Sequence, residues 1–137
     1  MDRLIVARKL DSLQRCLTRV RERCPADVAS LAGNPDLQDS VVLNLSRAVQ
    51  ICVDLALHTL SGLGQAVPET MGQSFDQLAN NGIIPTELSQ RLKKAVGFRN
   101  IAVHSYSGID WAIVHAIATR HLGDFKAFAQ AISRAQG

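Results

Sequence analysis

Three side chains that can act on a phosphate ester lie within one short segment of the C-terminal half of the chain. Arg99, His104 and Tyr106 form the pattern Arg-x4-His-x-Tyr, and Tyr106 is the only tyrosine in the 137 residues. Arginine stays protonated and offers forked donors to phosphate oxygens, whereas histidine exchanges protons near neutral pH. The pattern therefore favours a site that binds a phosphate ester and moves protons beside it.

Such a pair could cleave RNA without a metal ion or a cofactor. The guanidinium of Arg99 would bind the scissile phosphate and stabilise the charge that grows on it, while His104 would move the protons. The attacking group would be the neighbouring 2′-hydroxyl, which RNA has and DNA lacks. Arg99 and His104 are therefore candidate catalytic residues of a ribonuclease, and structural roles for both stay open on the residues alone.

The spacing of the two residues limits how they can cooperate. Residues five apart on a regular α-helix point roughly 140° away from each other, so one straight helix cannot direct both at one phosphate oxygen. Either the helix loosens between Ala102 and His104, or two copies of the chain meet and line a shared cleft.

Structural roles are the alternative for each polar residue. Arg99 could form a salt bridge with Asp54, His104 could bond a carbonyl at a helix end, and Tyr106 could be a half-buried aromatic. Asp54 and His58 are four apart and share a helix face, where they could orient a catalytic group, bind RNA or pair across a dimer.

Composition predicts one all-helical domain over residues 1–137. Hydrophobic residues make up 47% of the chain and aromatic residues only 4%, a mixture that suits helix packing better than a β-sandwich. The formal charge of +3 is compatible with nucleic-acid binding and does not demonstrate it.

Several classes of protein are disfavoured by the sequence. Cys16, Cys24 and Cys52 form no Cys-x-x-Cys pair, which favours a reducing cytoplasm. No uninterrupted apolar run approaches about 18 residues, so we expect no transmembrane helix and no membrane partner. His115 and His121 are six apart and miss the spacing of a helical two-histidine metal site, so we expect no bound metal.

Periodicity and capping signals predict an up-and-down bundle of four to five helices. These would cover about residues 2–24, 35–63, 70–80, 85 into the motif, and 110 to the C-terminal region, with a turn through Gly33 after the first. Asn34-Pro35 and Asp110 are N-terminal signals, and Asn81-Gly82 indicates a left-handed turn. Residues 49–60 are apolar almost all round, as in a helix that is central or forms an oligomer interface. The last helix would bury a stripe of Ile117, His121, Phe125, Phe128 and Ile132.

Several segments occur in the same order as in the HepT-like branch of the HEPN superfamily. They are Met1-Asp2-Arg3, Asn34-Pro35-Asp36-Leu37, Cys52-Val53-Asp54-Leu55-Ala56, Val67-Pro68-Glu69 and Val96-Gly97-Phe98-Arg99-Asn100. With the Arg-x4-His-x-Tyr motif, the chain resembles this family over nearly its whole length. It departs from the family at Leu57, where members often have Asn before the histidine of the second long helix.

The resemblance implies a toxin that is paired with a minimal nucleotidyltransferase antitoxin. Arg99 and His104 match the family's metal-independent ribonuclease residues, which commonly lie at a two-fold homodimer interface, and the RNA would be tRNA or mRNA. Tyr106 would accept AMP from the partner. Asn100, Asp54 and His58 are candidate supporting residues of the site. The alternative is a non-catalytic helical dimer that binds nucleotide or presents a substrate to the nucleotidyltransferase.

Overall fold

Seven α-helices and one 3₁₀ turn form the computed structural model, which describes residues 2–136. They are α1 (Arg3–Arg23), α2 (Val28–Ala32), α3 (Pro35–Gly62), α4 (Met71–Asn80), α5 (Thr86–His104), the 3₁₀ turn (Tyr106–Gly108), α6 (Trp111–Arg120) and α7 (Leu122–Ala135). The predicted all-helical class is confirmed. The predicted number of four to five helices was too low.

Local signals in the sequence account for the helix ends that were predicted correctly. The Asn34 side chain accepts the backbone N–H of Leu37 at 3.1 Å, and Pro35 occupies the first position of α3. After α4, Gly82 adopts a φ of 73°, which confirms the left-handed turn predicted for Asn81-Gly82.

The predicted turn before Gly33 contains a short helix instead. The Asp27 carboxylate accepts both the backbone N–H of Ser30 at 2.9 Å and its hydroxyl at 2.8 Å, which starts α2. Leu31 of α2 is fully buried. The Asp27 cap and the burial of Leu31 both stabilise this short helix, which packs against α3 and a later helix of the bundle.

The predicted last helix is broken at His121, which lies on the surface and not in the buried stripe. Its φ of −120° and ψ of 10° leave the helical region, and its N–H closes α6 by donating to Ile117 O. Gly123 follows in the first turn of α7, where it favours helix weakly. The later residues of the stripe, from Phe125 onward, are buried as predicted.

Helix α3 lies at the centre of the bundle and packs against each of the other six α-helices. No residue between positions 49 and 60 is exposed. This supports the central position among the two alternatives for that apolar segment, because the bundle itself covers the segment.

By length and composition alone, α3 is apolar enough to cross a membrane, although it contains no uninterrupted apolar run of about 18 residues. An 18-residue window of this helix has a mean hydropathy of 1.4. However, 56% of that window is buried inside the bundle, as expected for a core helix. The high hydropathy is thus explained by packing against the other helices.

Candidate functional site

The motif occupies the end of α5 and the 3₁₀ turn that follows. Helix α5 continues without interruption through His104, and the chain leaves the helix only at Ser105, where φ is −151°. The proposed loosening between Ala102 and His104 was therefore wrong. Regular geometry separates Arg99 and His104 by about 7.5 Å along the axis and roughly 140° around it.

Arg99 is half-buried and keeps its charge available. Its Nη1 donates to Asn100 Oδ1 at 3.4 Å and to the thioether sulfur of Met71 on α4 at 3.9 Å. Among residues 2–136, no carboxylate lies within salt-bridge distance of this guanidinium. The alternative salt bridge with Asp54 was wrong, because Asp54 pairs with Lys9 at 3.2 Å. The positive charge can therefore bind an external anion.

His104 is the last residue of α5, and its side chain is exposed. The structure contains no hydrogen bond between its ring and another residue from 2 to 136, so the alternative of a carbonyl-bound helix-end histidine has no support. An exposed imidazole at this position can exchange protons with a bound substrate.

Tyr106 begins the 3₁₀ turn and is 41% exposed. Its hydroxyl donates to Asp39 Oδ1 of α3 at 2.6 Å, and its ring meets the Trp111 ring edge-on at 6.1 Å. Burial, followed by the hydrogen bond and the charge of Asp39, raises the pKa of Tyr106 to about 12. The phenol is therefore protonated at neutral pH.

Asp39 is a residue of this site that the sequence analysis missed. It lies 67 positions from Tyr106 and occupies an exposed position early in α3. Acidic residues at such positions are usually solvated, so neither periodicity nor spacing distinguishes it from its neighbours. Only the fold brings the end of α5 beside the start of α3.

Asp54 and His58 lie toward the other end of α3. Fifteen residues of regular helix place Asp54 about 22 Å from Asp39 along the axis. Asp54 also accepts a hydrogen bond from Gln50 at 2.9 Å, whereas His58 Nε2 is enclosed and has no partner among the described residues. Both line a cavity of about 390 Å³. Within a single chain, Asp54 and His58 are therefore far from Tyr106.

The other two histidines have local contacts. His115 Nε2 lies 2.9 Å from the carbonyl oxygen of Pro25, and His121 Nδ1 lies 3.8 Å from Asp124. Within residues 2–136, no cluster of three or more His, Cys, Asp or Glu side chains is placed to hold a metal ion.

Apolar side chains are exposed on the same turns of α5 that carry the motif. Ile101 and Val103 are 46% and 54% exposed, and Leu43 lies one turn beyond Asp39 on α3 with half of its surface exposed. Apolar groups in such positions are typical of a surface that a second protein covers.

Residues 13–132 match a family model described as ribonuclease HepT-like. The mRNA nuclease HepT of Shewanella oneidensis is 38% identical to this chain over 128 residues, which are 93% of this chain and 96% of the relative.

Solved structures agree with the sequence match. A tri-AMPylated HEPN toxin from Shewanella oneidensis, in complex with an MNT antitoxin, superimposes with a TM-score of 0.90 at 36% identity. The match covers 98% of this chain and 99% of that one. A toxin–antitoxin structure with AMP-PNP has a TM-score of 0.89 at 36% identity and covers 95% and 98%.

These matches extend over both the bundle and the motif segment. They confirm the family predicted from the sequence and, at the level of the family, its nuclease class. The chain belongs to the HepT-like ribonuclease family of HEPN proteins.

Proposed function

We propose that this chain is the toxin of a toxin–antitoxin pair, that it cleaves RNA without a metal ion through Arg99 and His104, and that AMP on Tyr106 silences it. One observation carries the proposal. A single surface segment presents an exposed imidazole, a partly exposed phenol and a guanidinium that has no carboxylate partner within the described part of the chain, in a protein of the HepT-like ribonuclease family.

The chemistry follows from the two side chains and from the RNA itself. Arg99 binds the scissile phosphate through two of its N–H groups and stabilises the negative charge of the transition state. His104 accepts the proton of the 2′-hydroxyl as that oxygen attacks the adjacent phosphorus. The bond from that phosphorus to the 5′-oxygen of the next nucleotide breaks, and the 5′-oxygen leaves with the bonding electron pair and takes up a proton to become a 5′-hydroxyl. A 2′,3′-cyclic phosphate remains on the RNA.

A homodimer is part of the proposal, because the two residues diverge on one unbroken helix. In a two-fold dimer, Arg99 of one copy and His104 of the other can face the same phosphate. The exposed Ile101 and Val103 beside them would be buried in such an interface. The apolar segment at positions 49–60 does not support a dimer, because the bundle covers it.

Silencing by a nucleotidyltransferase antitoxin follows from charge and size. AMP on Tyr106 would place a phosphodiester anion near Arg99, where it competes with RNA for the guanidinium. The nucleoside would also fill the entrance to the site. The AMPylated state of the solved toxin from Shewanella oneidensis supports this role for Tyr106.

The substrate that we propose is mRNA, by analogy with the mRNA nuclease HepT of Shewanella oneidensis, and the place of action is the cytoplasm. The chemistry that we propose for the motif needs only a phosphate and a 2′-hydroxyl, which RNA of any sequence provides. Sequence preference would therefore come from surfaces outside residues 99–106.

The catalytic part is tested with purified protein and RNA in the presence of EDTA. Wild type should cleave, whereas Arg99→Ala and His104→Ala should each lose about 10²-fold or more in rate, because one loses phosphate binding and the other proton transfer. Arg120→Ala is the matched control, since Arg120 is an exposed arginine at the end of α6. Equal cleavage by His104→Ala, or loss of wild-type activity in EDTA, would contradict the proposal.

The silencing part is tested by intact-mass spectrometry after incubation with the cognate nucleotidyltransferase, ATP and Mg²⁺. Wild type should gain the mass of AMP, and Tyr106→Phe should not. A gain that survives in Tyr106→Phe would place the modification on another residue. If wild type gains no mass, the antitoxin would instead inhibit the toxin by covering the site as a bound protein.

A further inference from the structure

The hydroxyl of Tyr106 has one hydrogen-bond partner among residues 2–136, and that partner is a carboxylate. The 2.6 Å contact with Asp39 Oδ1 joins the 3₁₀ turn to the first turns of α3. It fixes the phenol oxygen in one direction, with its proton pointing at Asp39. The ring contact with Trp111 restrains the other side of the tyrosine.

We infer that Asp39 is the residue of this chain that prepares Tyr106 for AMP transfer, by orienting its hydroxyl and accepting its proton. The inference rests on the proposed AMPylation of Tyr106 and adds a catalytic role within the toxin itself. The antitoxin would supply bound ATP and Mg²⁺, while the acceptor protein would supply the base.

A base is needed because a protonated phenol is a weak nucleophile. With a pKa of about 12, Tyr106 carries almost no phenolate at neutral pH. A carboxylate in contact with the attacking oxygen removes the proton as the new bond forms, as an aspartate does for the hydroxyl acceptor of protein kinases.

Other side chains near Tyr106 are less well placed for this task. Asp110 uses its carboxylate to cap α6, where it accepts the N–H groups of Ala112 and Ile113. His104 is two residues away in sequence and makes no hydrogen bond to the phenol. Among residues 2–136, only Asp39 forms a hydrogen bond with the oxygen that reacts.

The transfer step balances without any further reagent. The Tyr106 hydroxyl oxygen forms a bond to the α-phosphorus of ATP, and the bond from that phosphorus to the bridging oxygen of the β-phosphate breaks. Pyrophosphate leaves with the bonding electron pair. The phenol proton passes to Asp39 and then to solvent, and no group is oxidised or reduced.

The rate of addition of the first AMP tests the inference, measured by intact mass with the cognate nucleotidyltransferase, ATP and Mg²⁺. Asp39→Asn keeps the size of the side chain and an oxygen that can accept the phenol hydrogen bond, but it cannot take the proton. We expect it to slow the first transfer about 10²-fold or more. Asp36→Asn is the control, because Asp36 is an exposed residue one turn earlier on α3, and this variant should react like wild type.

Two further measurements distinguish proton acceptance by Asp39 from a purely structural role of its side chain. Asp39→Glu keeps a carboxylate and should transfer AMP faster than Asp39→Asn. Tyrosinate absorbance in an alkaline titration should show a lower phenol pKa in Asp39→Asn, because the variant removes a negative charge beside Tyr106, the only tyrosine.

The outcomes distinguish this inference from the proposed function. If wild type gains no AMP, the proposed modification fails. If wild type gains AMP and Asp39→Asn reacts at the same rate, the role of Asp39 is overturned while the modification of Tyr106 stands. Equal slowing of Asp39→Asn and Asp39→Glu would also overturn proton acceptance.

Discussion

The partners of two carboxylates on α3 determine which groups of the motif are available to bind and cleave RNA. Asp54 is paired with Lys9 of α1, which leaves Arg99 without an acidic partner in the described chain. Asp39 accepts a hydrogen bond from the Tyr106 hydroxyl. The exposed imidazole of His104 is therefore the group of the motif that can carry protons for RNA cleavage. A carboxylate paired with Arg99 would neutralise the cation that is to hold RNA.

The paired N–H donors of the Arg99 guanidinium should matter for RNA cleavage as much as its charge. Arg99→Lys keeps a positive charge but loses the planar pair of donors that matches two phosphate oxygens. We expect single-turnover RNA cleavage to slow by about 10-fold or more. Arg120→Lys is the control. Wild-type rates for Arg99→Lys would mean that a point charge is sufficient.

The Tyr106–Asp39 pair should give a pH-dependent contribution to stability. The folded state raises the pKa of Tyr106 from 10.0 to about 12, so it favours the neutral phenol. The contribution is therefore fully present below pH 10.0 and is lost as the pH rises through about 12.

Urea denaturation of wild type and Tyr106→Phe over this pH range provides the measurement. The excess unfolding free energy of wild type should shrink as the pH approaches the folded pKa. A constant difference between the two proteins would show that the phenol and the carboxylate are not linked.

Helix α6 positions the ring that contacts Tyr106, and its N-cap should be a local determinant of stability. The Asp110 side chain accepts the N–H groups of Ala112 and Ile113, at 2.9 and 3.4 Å. Asp110→Ala should cost about 1 kcal/mol of unfolding free energy, whereas Asp110→Asn, a good cap, should retain most of it. Chemical denaturation of both variants checks this, and equal stability of the two would argue against the cap.

Helix boundaries could be predicted where one residue type dictates the backbone. Asn34 with Pro35 starts α3 as expected, and Gly82 forms the turn after α4. The break at His121 could not be predicted in this way, because its neighbours continue the helical pattern of apolar residues. In the folded chain the two halves have different neighbours, since α6 packs mainly on α2 and α7 packs on α3 and α5.

The composite cleft of the proposed dimer can be tested by mixing inactive variants. In a mixed dimer of Arg99→Ala and His104→Ala, one shared site would retain both catalytic groups. Random pairing should then restore about a quarter of wild-type activity. A mixture of Arg99→Ala with the double variant is the control and should stay inactive. If the first mixture is also inactive, each site belongs to one chain.

Site residues that are close together in the sequence could be predicted, whereas a residue that only the fold brings to the site could not. Arg99, His104 and Tyr106 share one segment, so their types and spacing could be recognised without a fold. Asp39 could not be found in this way, because its contact with Tyr106 arises only when α3 and α5 pack together. Asp54 was considered for a supporting role because of its spacing from His58, and within one chain it lies far from Tyr106 along α3.

The chemical ends of RNA fragments produced in EDTA test the central claim most directly. Mass spectrometry of fragments made by purified wild type should show 2′,3′-cyclic phosphates, because the 2′-hydroxyl is the attacking group. His104→Ala should produce none under the same conditions. Fragments that end in a 3′-hydroxyl and a 5′-phosphate, or cleavage that requires a divalent metal, would contradict the mechanism assigned to Arg99 and His104.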